Sequence, residues 1–241
     1  MNILVTAGNT HAPIDKVRAI TNIFTGRTGA GIAVEAHRRG HAVSLLTSHP
    51  DAVPAPTDSD RWHCSPYRTF HELMEAMADG IRRHRFDAVV HSAAVGDYQV
   101  TGVFAPAAGT RWDGADLTWH GTPPRLVDRR AAKVRSDESE IWLRLARSPK
   151  LVDMVRTAWG FRGILVKFKL EVDVAEAELL AVAERSRRQS EADWMVANTL
   201  ETAAEYAYLG AAPGYDKVAR HELPSRLLDA IEQQQRERAH G

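Results

Sequence analysis

Charge, amide, hydroxyl and bare backbone crowd into one stretch of this chain, Pro13 to Gly31, which reads PIDKVRAITNIFTGRTGAG. Arg18 and Arg27 offer cations, Asn22 an amide with both donors and an acceptor, and Thr25 a hydroxyl. Gly8 ahead of the stretch and Gly26 and Gly29 within it leave backbone open to close approach. Few bulky apolar side chains interrupt them, so the stretch reads as a loop made for contact rather than packing. A loop of about 20 residues inside a compact domain is more often functional than idle. Thr25 to Gly29 (TGRTG) runs into a helix, where unpaired N–H groups and the positive dipole end favour an anion. The chemistry expected here is the holding of an anionic substrate.

The elements that must position these residues follow from hydrophobic period. Asn2 to Thr6 (NILVT) is a short apolar run ending at Ala7-Gly8, as in a buried parallel strand. A helix is expected over Ala30 to Arg39, with Ile32, Ala33 and Ala36 on one face, and a second strand over Ala42 to Thr47. Together they make a βαβ unit. A loop from Ser48 to Pro56, a helix over Thr69 to Arg85 and a strand over Phe86 to Ser92 come next. Residues 101–132 hold glycines, prolines and two tryptophans without lasting period, and read as a long loop excursion with room for a short hairpin. Beyond it, Glu140 to Leu145 alternates as a strand. Ser148-Pro149 is expected to cap and begin a helix. A strand over Gly163 to Leu170 precedes a helix whose capping box is Asp173 to Glu176, running to about Gln189. Trp194 to Asn198 is a strand, Tyr206 to Leu209 a short edge strand, and Leu223 to Gln235 a closing helix. This alternation predicts one α/β domain over residues 1–241: a Rossmann-like, doubly wound, mostly parallel sheet with helices on both faces.

Ligands of such sheets bind at the carboxyl ends of the strands. Those ends are Ala7 to Thr10, Ala93 to Asp97, Lys169 to Glu171, and Asn198. Ser148-Pro149-Lys150 offers a second helix start as a phosphate seat. The glycines of TGRTG do not follow the strand directly, no acidic residue ends AVSLLT, and neither a YxxxK pair nor a P-loop is present. An NAD(P)-dependent oxidoreductase is therefore only the alternative. The 31 basic and 31 acidic residues cancel, which argues against nucleic acid or an anionic membrane surface as a partner. A lone Cys64 forbids an internal disulfide and fits a reducing compartment, no metal site is read, and no apolar run approaches the roughly 20 residues of a membrane span. A cytoplasmic protein is expected.

With those elements placed, the chain resembles phosphopantothenate–cysteine ligase, the family that makes phosphopantothenoylcysteine on the route to coenzyme A. The resemblance runs from Asn2 to about Glu201 on ILVTAGNT, PIDKVRAITN, TGRTG, HSAAVGDY, KVR at Lys133, RSPKLV, KFKLE and ADWMVAN, in that order. KFKLE is more similar to stand-alone and eukaryotic-type ligases than to the domain fused to a flavin-dependent decarboxylase. The resemblance therefore implies no flavin, and a decarboxylase on a separate chain for the next step. It implies that a nucleoside triphosphate, CTP or ATP with Mg²⁺, activates 4′-phosphopantothenate as an acyl nucleotidylate, which cysteine then attacks. Family members are homodimers, and the excursion with Trp112 and Trp119 is a candidate for that contact; an inactive relative serving as a binding subunit is a further alternative.

Carried over residue by residue, the resemblance makes Lys133 the catalytic lysine beside the α-phosphate and Asn22 the holder of the acyl intermediate. Gly8, Arg18, Asn22, Thr25, Gly26 and Ala94 fall on the substrate side. His91, Ser92, Ala93, Asp97, Lys133, Pro149, Lys150, Leu151, Val152 and Phe168 fall on the nucleotide side. Fused members bind the triphosphate with lysines on the helix before the VAN strand. Here Ser186 and Ser190 stand near those places, with Arg185, Arg187 or Arg188 as substitutes.

Overall fold

A computed structural model describes residues 1–53 and 60–240. In chain order the elements are β1 (Asn2–Ala7), β2 (His11–Pro13), β3 (Ala19–Thr21), α1 (Arg27–Arg38), β4 (Ala42–Thr47), β5 (Trp62–Pro66), α2 (Phe70–Arg83) and β6 (Ala88–His91). Then come β7 (Tyr98–Pro106), β8 (Arg111–Asp113), β9 (Thr118–His120), β10 (Leu126–Asp128), β11 (Trp142–Arg147), α3 (Leu151–Thr157) and β12 (Ile164–Glu171). The last are α4 (Glu176–Gln189), β13 (Trp194–Thr199), β14 (Tyr206–Ala211), β15 (Gly214–Ala219) and α5 (Leu223–His240). They divide into two compact units, one drawn from Met1–Thr10, Ile23–Val95 and Lys150–Gly241, the other from His11–Asn22 and Gly96–Pro149.

The first unit is the doubly wound sheet that the sequence predicts. Its eight strands lie in the order β15-β14-β13-β12-β6-β1-β4-β5, parallel from β13 to β5, with β14 and β15 added antiparallel. The side-chain period of two sorts β1 cleanly. Ile3, Val5 and Ala7 face Ile32, Ala33 and Ala36 of α1 and Leu227 and Ile231 of α5. Leu4, between them, faces Phe70, Leu73 and Met77 of α2 and Leu151 and Val155 of α3. Leu179 and Ala183 of α4 cover Met195 and Ala197 of β13. Burial on both faces is why these strands are near-continuous apolar runs, each large side chain contributing about 1.5–3 kcal/mol. No described helix is long and apolar enough to cross a membrane.

Several expected boundaries move, each for a local reason. α1 begins at Arg27 rather than Ala30, because Gly26 takes a left-handed φ of 81° and turns the chain into the helix. Ser148 does not cap α3: its N–H donates to the Asp97 carbonyl at 2.8 Å, and the N-cap is Lys150, without a side-chain bond. The box expected at Asp173 to Glu176 does not form; Asp173 sits at φ 54° and Ala175 is the N-cap of α4. A capping box does form at α2, between Thr69 and Glu72. Tyr206 to Leu209 is not an edge: β15 lies outside it. Of the expected loop from Ser48 to Pro56, residues 54–56 lie outside the described residues; Pro50–Ala52 is a 3-10 turn.

The second unit is antiparallel. β7 lies between β10 and β11, with a register shift between Arg144 and Leu145, and β2–β3 and β8–β9 are hairpins. About half of residues 101–132 are strand, in the end of β7 and in β8, β9 and β10, with β8–β9 the short hairpin for which the sequence left room, and part of the opening loop is β3. Trp112 and Trp119 pack on each other and on Trp142, with ring centroids 4.6–5.3 Å apart. The rings that were candidates for a contact between copies are occupied with one another inside this unit.

Candidate active site

The carboxyl ends of β1 and β6 meet the start of α1 closer than side chains would allow. At Gly26, a Cβ would stand 2.0 Å from the Gly8 nitrogen, and at Gly8 (φ 91°) another would stand 2.1 Å from Ser48 Oγ. Ser48 Oγ instead accepts the Asn9 N–H at 2.9 Å. The Ala94 N–H donates to the Gly8 carbonyl at 2.8 Å, and the Tyr67 hydroxyl to the Ala7 carbonyl at 2.7 Å. This packing leaves the first turn of α1 without a capping side chain and without an acidic residue. Its first amides keep no intrahelical acceptor, so the turn is an anion seat by construction.

His91, at the end of β6, is buried, with Nδ1 3.0 Å from Thr6 Oγ1, which also accepts the Ala93 N–H at 3.2 Å. Burial, aided by the Lys167 charge, pulls its pKa from 6.5 down to about 4. The ring is therefore neutral at physiological pH and orders the Ser92–Ala94 turn rather than offering a charge.

These turns wall a cleft of about 600 Å³ in the first unit. Gly8, Thr25, Gly26, Ser92, Ala93, Ala94 and Phe168 all line it, so seven of the sequence-predicted site residues are brought together. Arg27, Lys169 and Arg220 line it as well, and among the described residues no Asp or Glu does. Lys169 is paired with Glu171 at 2.9 Å. Arg220 escaped the sequence reading, since it follows a polar edge strand whose period carries no signal; the cleft shares its wall with Asn198, which the strand-end rule does find.

At the α3 end, Leu151 and Val152 point into the core, so only their backbone is open to a ligand, while Lys150 is exposed. Arg185 and Arg188 are exposed on α4 and do not line the cleft; Arg188 and Arg187 both pair with Glu184. Between these helices lies Lys167 of β12, only 5% exposed, donating to the Ser186 carbonyl at 2.9 Å and to Ser190 Oγ. Its ammonium is 3.7 Å from Asp153, and burial lowers its pKa.

In the second unit the hairpin of β2 and β3 grips the segment that carries Lys133. The Asp15 carboxylate accepts the Val17, Arg18 and Val134 N–H groups at 2.7–2.9 Å and the Arg18 guanidinium at 2.6 Å. Arg18 Nη2 also donates to the Val134 carbonyl, and the Lys16 N–H to the Ala132 carbonyl. Those donors hold the Asp15 carboxyl well below the usual carboxylate range. Arg18, expected on substrate, is thus engaged with Asp15 and Val134, and with Lys16 on Ala132 both neighbours of Lys133 are held, while Lys133 itself is exposed. Asn22, Asp97 and Pro149 also belong to this unit, the last two exposed. His37 and His41, four apart on the sequence, turn to different partners, Trp62 and Glu232.

Residues 1–108 match the family model described as DNA/pantothenate metabolism flavoprotein C-terminal domain. A bifunctional coenzyme A biosynthesis protein, CoaBC, of Thermococcus kodakarensis is 30% identical over 237 residues, covering 95% of this chain and 50% of that protein. The likeness to the DNA/pantothenate metabolism flavoprotein C-terminal domain family is carried by residues 1–108. CoaBC of Mycobacterium tuberculosis H37Rv is 26% identical over 241 residues, 95% of this chain and 51% of that one. The chain spans about half the length of the curated relatives it matches. Among solved structures, the DNA/pantothenate metabolism flavoprotein of Streptococcus pneumoniae shares the fold, with a TM-score of 0.77 at 24% identity, covering 97% of this chain and 99% of that one. So does a Cab2 mutant in complex with phosphopantothenate-cysteine, at 0.70 and 16%, covering 100% and 89%. Within the family match lie Gly8, Thr25 to Thr28 and Ser92 to Ala94; Phe168 and Arg220 of the cleft lie beyond it.

Proposed function

We propose that the protein is a phosphopantothenate–cysteine ligase acting in coenzyme A biosynthesis. The observation that carries this reading is the cleft: residues that the resemblance assigns to the substrate side and to the nucleotide side wall one cavity, whose described lining holds cations and no acids. In the proposed reaction a carboxylate oxygen of 4′-phosphopantothenate attacks the α-phosphorus of CTP or ATP and expels pyrophosphate. The cysteine amine then attacks the acyl carbon; the C–N bond forms, the nucleoside monophosphate leaves, and the amine gives up a proton. Two steps are needed because a bare carboxylate is a poor electrophile.

This chain's residues have definite tasks in that scheme. The open amides of α1 and the guanidinium of Arg27 offset phosphate charge, and Phe168 presents a ring for the base. Lys167 brings an ammonium to Ser186 and Ser190, which stand near the places where the resemblance puts the triphosphate lysines of fused members, and in this reading the charge enters from β12 instead. Lys133 neutralises charge at the α-phosphate and Asn22 holds the acyl group, with Asp15 and Arg18 fixing the backbone around the lysine. Mg²⁺ would come with the triphosphate, since no carboxylate among the described cleft-lining residues is placed to hold it. A homodimer is part of the proposal. The test is incubation with phosphopantothenate, cysteine, Mg²⁺ and either nucleotide. Pyrophosphate and phosphopantothenoylcysteine should form together, and failure with both nucleotides would sink the reading.

A further inference from the structure

Arg220 follows β15 and is pinned at its backbone, where its N–H donates to the Glu205 carbonyl at 2.8 Å. One arm of its guanidinium, Nη2, donates to Thr28 Oγ1 in the first turn of α1. The other, Nη1, is buried and has no hydrogen-bond partner among the described residues. No carboxylate lies within ion-pair distance of it among those residues either. In this it stands apart from the other half-buried arginines. Arg39 meets Glu35, Asp229 and Glu232, Arg129 meets Glu138, Arg156 meets Asp193, and Arg187 meets Glu184. Burying a guanidinium without a counter-charge is costly unless something else supplies the charge. Arg220 lines the same cleft as Arg27 and Lys169, where no acidic side chain among the described residues is present to do so. Thr28 holds one edge of the planar fork, which leaves the Nη1 donors as its unsatisfied hydrogen-bonding groups, a chemistry suited to phosphoryl oxygens.

We infer that Arg220 is a phosphate-binding residue of the cleft, its Nη1 edge taking oxygens of a phosphorylated ligand seated against the first turn of α1. The inference deepens the ligase reading and rests on it only for the identity of that ligand. Two substrates of the proposed reaction carry the required chemistry: the nucleoside triphosphate and 4′-phosphopantothenate. The position is invisible to motif reading because ARHEL has no glycine-rich or P-loop context; it is found only when the β14–β15 hairpin brings it to α1.

The test is calorimetric titration of the full chain and of Arg220→Gln with CTP, ATP, inorganic pyrophosphate and 4′-phosphopantothenate. Cytidine and adenosine serve as phosphate-free controls. Arg220→Gln should weaken binding of at least one phosphorylated probe by tenfold or more and leave the nucleosides unaffected. The probe that suffers identifies whose phosphate the arginine holds. Phosphorylated ligands bound within twofold of wild type by a folded Arg220→Gln protein would overturn the inference, and would leave the ligase reading intact if product still forms. If the wild type binds pyrophosphate but neither organic substrate, and the variant loses that binding, Arg220 stands and the ligase reading falls. Should Arg220→Gln not fold, Arg220→Lys keeps the charge and loses the fork. Intermediate affinity is then expected, and unchanged affinity overturns the inference.

Discussion

Neutral His91 and ionised Asp15 show how differently two titratable residues serve this protein. His91 is buried beside Lys167 with its pKa at about 4, while the unfolded chain titrates near 6.5. Between those values the unfolded state holds the extra proton, so stability rises with pH through this window and is lost as pH falls from 6.5 toward 4. At about 1.4 kcal/mol per pH unit, the full loss is about 3 kcal/mol. Urea denaturation at pH 7 and at pH 4.5 should show that decline, and His91→Asn should flatten it; an unchanged slope in the variant would contradict the assignment. Asp15 works the opposite way, as a charged acceptor for five donors from Val17, Arg18 and Val134. The charges of PIDKVR are plain in the sequence, and the resemblance put Arg18 on substrate. That Asp15 and Arg18 hold Val134 was not legible, because a contact spanning more than a hundred residues leaves no local pattern. Arg220 was missed for the same reason, with Thr28 as its distant partner.

Among the elements, the start of α1 is the most tightly constrained. Gly26 has both a positive φ and a phantom Cβ 2.0 Å from the Gly8 nitrogen. Gly26→Ala should therefore cost at least about 2 kcal/mol, combining left-handed strain with backbone overlap, and weaken phosphate binding at the same turn. Thermal melts and nucleotide titration check both; a variant as stable as wild type would show that the turn is looser than described. Helix ends elsewhere were the least legible features. Ser148 looked like a cap by type but gives its N–H to Asp97, and Asp173 had box spacing but took a left-handed turn. Spacing alone cannot report the φ that decides whether a side chain faces its own helix. β5 (WHCSP) and β15 (GYDKVA) were invisible because edge strands need only one buried face and tolerate polar residues.

At the scale of the whole molecule, the doubly wound sheet was legible because its strands are buried on both faces. Periods of 3.6 and near-continuous apolar runs then alternate along the chain. Of the second unit only β11 was legible, as the alternating run from Glu140 to Leu145; β7 is interrupted by Gly102, and the other strands are three-residue pieces, too short to show a period. The strand-end rule points to the cleft: Gly8, Ala93, Ala94, Lys169 and Asn198 all follow from it and all line the cavity. It could not say that the described lining lacks acids, which depends on what folding excludes. The central claim is that this cleft supports formation of an acyl nucleotidylate, and isotope exchange tests it most directly. With labelled pyrophosphate, Mg²⁺ and CTP or ATP, label should enter the nucleotide only when 4′-phosphopantothenate is present, and without any need for cysteine. No exchange with either nucleotide, or exchange that ignores phosphopantothenate, would contradict the account.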